Sequence, residues 1–106
     1  MTRITLDTLH RVVVSAVRSD APDLSQRQLA VLLDAARQAE PRTVRGLAAA
    51  LNVAKPAISR ALDRLEELAL ARRIPDPKDR RSVLVSVTRA GREHLARLVS
   101  PGEVLQ

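Results

Sequence analysis

Residues 43–65, TVRGLAAALNVAKPAISRALDRL, decide the fold of this chain. Thr43 is a favoured residue for the start of a helix, and the apolar residues after it recur at helical spacing. Asn52 tolerates the left-handed backbone conformation that a sharp turn requires. Pro56 fits only the first turn of a helix, so another helix must begin just before it. The stretch therefore predicts two helices joined by a tight turn, a helix-turn-helix.

The second helix of this pair, predicted over residues 54–68, has an apolar face and a polar face. Small Ala48 lets the two helices approach each other, and Val53 and Ile58 hold them together. Lysine, arginine and serine on the polar face can donate to guanine edges or to phosphate oxygens. A helical hairpin with a merely solvated polar face is the alternative. The polar face consists of Lys55, Pro56, Ser59, Arg60, Asp63 and Arg64.

Two more helices are predicted before this stretch. Ser25 and Gln28 have the spacing of a capping box and begin a helix that we expect to end near Glu40. An earlier helix, over residues 4–18, is predicted from four apolar residues at helical spacing, Leu6, Leu9, Val13 and Val17.

After residue 70 the apolar residues change from a helical to an extended pattern. Residues 71–74 and 82–87 predict two strands, and the intervening PDPKDRR predicts a charged turn. Thr88 then begins a last helix over residues 89–99, which Pro101 and Gly102 stop. The predicted fold class is mainly α with a small β-hairpin wing, a winged helix-turn-helix. We expect one domain over residues 1–106, made of an N-terminal helix (1–20), a core (24–88) and a C-terminal helix (89–100).

The tip of the hairpin carries Lys78, Asp79, Arg80 and Arg81. A β-ribbon of this size can lay an arginine into a narrow minor groove, where the negative potential is enhanced. Asp79 can hold Arg81 in place through a charge-assisted hydrogen bond. The alternative is that the arginines protect an exposed sheet edge against aggregation. Because the hairpin directly follows a helix-turn-helix, we prefer the wing.

The composition excludes several other classes of protein. The chain has 106 residues, a net charge of +6 and no Phe, Tyr, Trp or Cys. Modules that stack single-stranded bases need aromatic side chains, and thiolate metal sites and disulfides need cysteine. His10 and His94 are far apart and suggest no ligand cluster. We therefore expect no metal site, no cofactor and no enzymatic activity, and the sequence assigns no small-molecule effector.

Five segments of the chain resemble the MarR family of winged-helix transcription regulators. The first three are LSQRQL at 24–29, VRGLA at 44–48 and PAISRALDRL at 56–65. The strongest similarity is DPKDRRSVLV at residues 76–85, followed by TRAG at residues 88–91. The resemblance covers residues 24–98.

The resemblance assigns roles to particular residues. The family's Asp-x-Arg wing signature corresponds to Asp79 and Arg81, and its Thr-x-x-Gly corresponds to Thr88 and Gly91. It implies a dimer that binds double-stranded DNA with helix 54–68 in the major groove and the wing, 75–82, in the minor groove. The contacts we expect are Thr43, Arg45, Lys55, Pro56, Ser59, Arg60, Arg64, Lys78, Asp79, Arg80 and Arg81.

The sequence also departs from the family pattern. The usual helix-starting Ser or Thr is Ala54, and the usual Gly after the DNA-contacting helix is Ala69. Family members continue with a long C-terminal helix that builds the dimer, whereas this sequence stops at Gln106. We therefore expect a short variant whose homodimer uses the first and last helices, through Leu6, Leu9, Val13, Val17, Leu95 and Leu98.

The expected function is a sequence-specific transcription regulator, a repressor, in the bacterial cytoplasm and associated with the nucleoid. No apolar run is long enough to span a membrane, and no secretory signal is evident. Two alternatives are a winged helix that binds protein and an architectural binder without sequence preference. Acidic residues would favour the first; Asp63, Glu66 and Glu67 are of that kind, but we interpret Glu66 and Glu67 as a solvated face.

Overall fold

The computed structural model describes residues 3–99, which form five helices and a three-stranded antiparallel sheet. The strands are β1 (Arg42–Thr43), β2 (Ala71–Pro75) and β3 (Val83–Val87), in the order β1-β3-β2. The helices are α1 (Leu6–Arg18), α2 (Gln26–Arg37), α3 (Val44–Leu51), α4 (Lys55–Glu67) and α5 (Arg89–Val99).

This architecture confirms the winged helix-turn-helix expected from the sequence, with boundaries within one to three residues of those predicted. The wing is the hairpin of β2 and β3, in which Arg73 pairs with Val85 and Pro75 with Val83. The predicted last helix, over residues 89–99, coincides with α5. Residue 100, where the C-terminal segment was expected to end, and the predicted stop at Pro101 and Gly102 lie outside the described residues.

Strand β1 is an addition that the sequence did not predict. Arg42 pairs with Val85 and Thr43 with Leu84, on the side of β3 opposite β2. Helix α2 ends at Arg37 rather than near Glu40, because the chain must turn before it can reach β3. The guanidinium of Arg42 also lies 3.0 Å from the carboxylate of Asp34 on α2.

The core lies between the helix-turn-helix, α2 and the sheet. Helix α4 buries Ile58, Leu62 and Leu65 completely, in the apolar stripe that its sequence predicted. Each such side chain contributes roughly 1.5–3 kcal/mol when removed from water. Completely or almost completely buried partners from the other elements are Val31, Leu32, Leu47 and Val85.

The turn between α3 and α4 forms as predicted. Asn52 adopts the left-handed conformation (φ 56°), and the N–H of Val53 donates to the carbonyl of Ala48 over 3.1 Å. Thr43 begins α3, since its hydroxyl accepts the N–H of Gly46 at 2.8 Å. At the start of α4, Ala54 offers no side-chain hydrogen bond.

Helix α5 approaches the corner between α4 and β2 very closely. The hydroxyl of Thr88 accepts the N–H of Gly91 at 2.9 Å and donates to the carbonyl of Ala69 at 2.7 Å. A Cβ atom at Gly91 would lie 2.1 Å from the carbonyl oxygen of Leu70. Only glycine therefore permits this packing, which accounts for the Thr-x-x-Gly spacing in the sequence.

Candidate nucleic-acid interface

The first half of α4 presents a basic surface. Lys55, Pro56 and Arg60 are exposed, and Ser59 is half-buried. Among residues 3–99, Lys55 and Arg60 make no salt bridge. The buried stripe on the other side fixes the rotation of the helix, so these polar side chains face solvent. Two cationic groups with free donors thus stand where a polyanion could reach them.

The second half of α4 carries its own counterions. A guanidinium nitrogen of Arg64 lies 3.1 Å from the carboxylate of Glu67, one turn later, and both side chains are exposed. Asp63 is exposed on the same helix and pairs with Arg73 of β2. Arg64 therefore differs from Lys55 and Arg60, because it already has a carboxylate partner.

Arg73 joins the wing to α4. Glu66 accepts the backbone N–H of Arg73 at 2.8 Å and two guanidinium donors at 2.6 and 3.0 Å. These hydrogen bonds from the Arg73 side chain, followed by that from its backbone, lower the pKa of the Glu66 carboxyl. Hydrogen bonds to Glu66 and then Asp63 raise the pKa of Arg73. The interpretation of Glu66 as part of a solvated face was wrong, since its carboxylate anchors β2 to α4.

The tip of the wing is ordered by its two aspartates. A carboxylate oxygen of Asp76 accepts the N–H of Lys78 at 2.9 Å, and one of Asp79 accepts the N–H of Arg81 at 3.0 Å. The expected hydrogen bond between Asp79 and Arg81 is thus made with the backbone rather than with the guanidinium. Lys78, Arg80 and Arg81 are exposed along the tip. The turn is held by local bonds while its cationic groups remain available.

The residues predicted on α3 differ in exposure. Arg45 is exposed in the first turn of this helix. Thr43 is half-buried in β1, and its hydroxyl oxygen already accepts the N–H of Gly46. Arg45 can therefore reach a ligand by its side chain, whereas the principal structural role of Thr43 is to begin the helix.

Arg27 is a basic residue of this surface that the sequence analysis missed. It lies in the first turn of α2, and together with Arg60 it lines a small open cleft of about 150 Å³. Ala57 and Ala61 form part of the cleft because their small side chains let α2 approach α4. No periodicity could have placed Arg27 here, since its neighbour Arg60 lies more than thirty residues later.

The expected dimerisation residues fall into two groups. On α1 the stripe is exposed, from 81% at Leu6 and 45% at Leu9 to 51% at Val13 and 69% at Val17. On α5, Leu98 is half-buried, and Leu95 is half-buried against the core. The structure thus leaves the α1 stripe open, whereas Leu95 already has partners within its own chain.

An apolar groove of about 800 Å³ runs between α1, α2 and α5. His94 lines it and is only 7% exposed. Burial, and then the nearby charge of Arg97, lower the pKa of His94.

Within residues 3–99 no helix has the length and apolar character to cross a membrane. The same range contains no group of three or more side chains suited to a metal ion.

Comparison with known proteins relates this geometry to one family. A sequence profile of the MarR family matches residues 23–82, which is more than half of the chain. No curated protein sequence matches significantly.

Solved structures extend the comparison beyond that segment. S. aureus MepR, in a complex with DNA, has a TM-score of 0.73 and 22% identity, over 93% of this chain and 76% of that one. The repressor CouR, bound to a 23-mer DNA duplex, has a TM-score of 0.69 and 33% identity, over 87% of this chain and 59% of its own. BldR from Sulfolobus solfataricus, a transcriptional regulator, has a TM-score of 0.67 and 34% identity, over 92% and 71% of the two chains.

Proposed function

Because the chain belongs to the MarR family, we propose that it is a transcription regulator that binds specific sequences in double-stranded DNA and acts as a repressor. The observation that carries the proposal is the exposed basic half of α4, where Lys55 and Arg60 make no salt bridge within residues 3–99. CouR, with 33% identity, is a repressor bound to a DNA duplex and supports the same assignment. Repression would follow from occupying a site that the transcription machinery needs.

In this proposal α4 enters the major groove. Lys55, Ser59 and Arg60 are directed to base edges, since arginine donates bidentately to guanine. Arg64 is directed to a phosphate because it lies further along the helix. Pro56 starts the helix and packs near the backbone of the DNA. Arg27, beside Arg60, adds a phosphate contact from α2.

The wing and α3 complete the interface. Arg81 and Arg80 insert into or along a narrow minor groove, and Lys78 neutralises a neighbouring phosphate. Asp79 orders the turn that presents them. Arg45, in the first turn of α3, reaches the backbone between the two grooves, and Thr43 begins that helix. The bonds of Arg73 to Glu66 and Asp63 keep the wing at a fixed angle to α4.

The protein-binding alternative has less support. Its best argument was the acidic end of α4, but Glu66 and Asp63 bind Arg73 within the chain and Glu67 binds Arg64. Those carboxylates are therefore already paired. A basic partner protein would have to compete with the chain's own arginines for them.

The proposal is tested by selection and titration. A pool of random duplexes is enriched for bound sequences, and the affinity for the enriched and for a scrambled duplex is measured by fluorescence anisotropy. We expect a specificity ratio of about 10³ or more. The dependence of log affinity on log salt should have a slope of roughly −5 to −9, for about six to ten phosphates per dimer.

Three outcomes separate the candidate functions. An enriched sequence with a steep salt dependence supports the specific regulator. Binding that is equally tight to every duplex would instead assign an architectural role. Absence of binding to any duplex at about 50 mM salt, where electrostatic binding is strong, would contradict DNA binding altogether.

A further inference from the structure

Glu67 differs from the other two carboxylates at the end of α4. Asp63 and Glu66 bind Arg73 and so connect α4 to the wing. Among residues 3–99, the carboxylate of Glu67 has a single partner, the guanidinium of Arg64 at 3.1 Å. Residues three apart are neighbours on a helix surface, so this contact requires no distortion. Of these three carboxylates, Glu67 is thus the one that contacts only Arg64, the residue for which we propose a phosphate contact.

The fold has little need of this pair. Both side chains are exposed, 46% for Arg64 and 67% for Glu67, and exposed ion pairs contribute little to stability. Removing the carboxylate should therefore leave α4 intact. Its consequence for a polyanionic ligand is larger, because the carboxylate occupies one of the five guanidinium donors, offsets the positive charge and itself repels the phosphate.

We propose that Glu67 limits the affinity of the protein for DNA by holding Arg64 in an intramolecular ion pair that competes with a phosphate of the duplex. This inference rests on the proposed DNA binding and concerns the regulation of its strength. Binding exchanges one ion pair for another: Arg64 leaves a carboxylate and gains a phosphate, while Glu67 loses its partner close to the DNA. The net gain from Arg64 is smaller than that of an unpaired arginine such as Arg60.

The size of the effect follows from the same exchange. A charge on the interface lies within the Debye length of about 10 Å at 0.1 M salt, so screening does not remove the repulsion. We expect Glu67→Gln to raise the affinity for any duplex by about threefold to tenfold, within the range of charge pairs at interfaces. The slope of log affinity against log salt should become steeper by up to about 0.9, the value of one additional neutralised phosphate.

The experiment uses the full chain and a labelled random-sequence duplex of about 30 base pairs, roughly three helical turns. Affinity is measured by fluorescence anisotropy between about 50 and 200 mM salt for the wild type, Glu67→Gln, Arg64→Ala and the double variant. Glu93→Gln is the matched control. Glu93 pairs with Arg89 at 3.4 Å, on the surface of α5, a helix that packs against α1 and α2.

The expected result has two parts. Glu67→Gln binds more tightly than the wild type while Glu93→Gln, with the same change in net charge, does not. In the Arg64→Ala background the effect of Glu67→Gln becomes smaller, because no guanidinium is left to release and only the direct repulsion between the carboxylate and the DNA is removed.

Three results would overturn the inference. Glu67→Gln could behave like Glu93→Gln, it could weaken binding, or its gain could persist in full without Arg64. Failure of the wild type to bind the duplex at all is a different result, since it would remove the proposed function itself. The wild-type titration therefore distinguishes the two failures.

Discussion

At the scale of a residue, Ala69 shows a local conflict between sequence and backbone. It has a positive φ of 61°, which is unfavourable for alanine because Cβ crowds the following carbonyl. The conformation ends α4 through two hydrogen bonds, from the N–H of Ala69 to Glu66 at 2.9 Å and from the N–H of Leu70 to Leu65 at 2.8 Å. This pattern is the Schellman motif, in which glycine usually occupies the position of Ala69.

We therefore expect Ala69→Gly to stabilise the protein. Relief of the steric conflict exceeds the extra entropy of glycine in the unfolded chain, so the free energy of unfolding should rise by about 0.5–1 kcal/mol. The change in the free energy of unfolding is measured by urea denaturation. Ala96→Gly, at an exposed position inside α5, is the control and should lower stability by about 1 kcal/mol. A loss of stability in both variants would contradict this account of Ala69.

At the scale of an element, α5 carries a titratable group into an apolar setting. His94 is buried beside the groove between α1, α2 and α5. Its pKa is lowered by burial and then by Arg97, while Asp23 lines the groove from the segment between α1 and α2. Since the neutral imidazole suits this environment, protonation opposes the packing of α5 against the other two helices.

The stability of the protein should consequently depend on pH through His94. The folded chain binds this proton less tightly than the unfolded chain, whose histidine pKa is about 6.5. The contribution is complete above that pH and is lost as the pH falls below it. Relative to His94→Gln, the wild type should lose stability between about pH 7 and pH 5, by at most about 1.4 kcal/mol per pH unit. Parallel pH curves for the two proteins would exclude this role.

Also at this scale, helix α4 and strand β2 are joined into a single unit by side-chain hydrogen bonds. The short bonds from Arg73 to Glu66 and Asp63 connect a helix to a strand only seven to ten residues further along the chain. The wing therefore moves with the helix that we assign to the major groove. Independent adjustment of the two contacts to a duplex would require breaking these bonds.

At the scale of the whole molecule, the chain is more extended than its length requires. Its radius of gyration is 14.6 Å, whereas a compact domain of about 100 residues has about 13 Å. Helix α1 contains no buried residue and leaves its apolar stripe of Leu6, Leu9, Val13 and Val17 in solvent. We propose that a second copy covers this stripe, because an exposed apolar stripe is typical of an interface. A stable pair must bury roughly 1,200–2,000 Å² in total.

Sedimentation tests the proposed dimer. Leu9→Glu combined with Val13→Glu places two charges in the stripe and should convert a dimer to a monomer at micromolar concentration. Arg11→Glu, on the opposite side of α1, is the control and should leave the dimer intact. DNA affinity should fall with the first variant, since a single winged helix makes fewer contacts than a pair. A wild-type monomer that binds one half-site tightly would contradict the dimer.

The parts of this protein that the sequence determined by itself depend on neighbours within a few residues. The turn at Asn52, the start of α3 at Thr43, the apolar stripe of α4 and the charged tip of the wing were all predicted, and the structure contains them. Caps, turns and helical stripes are set by local hydrogen bonds and by the helical repeat, which the order of residues specifies directly.

Other features were decided only by the tertiary structure. They are contacts between residues of different helices and strands, which no local rule connects. Strand β1 forms because β3 offers a free edge, and two residues are too few to show an alternating pattern. Glu66 binds Arg73, and Arg27 lies beside Arg60, only because α2, α4 and β2 pack at particular angles. Whether a charged side chain finds a partner within the chain depends on how the core packs, because this packing fixes which side chains lie next to each other.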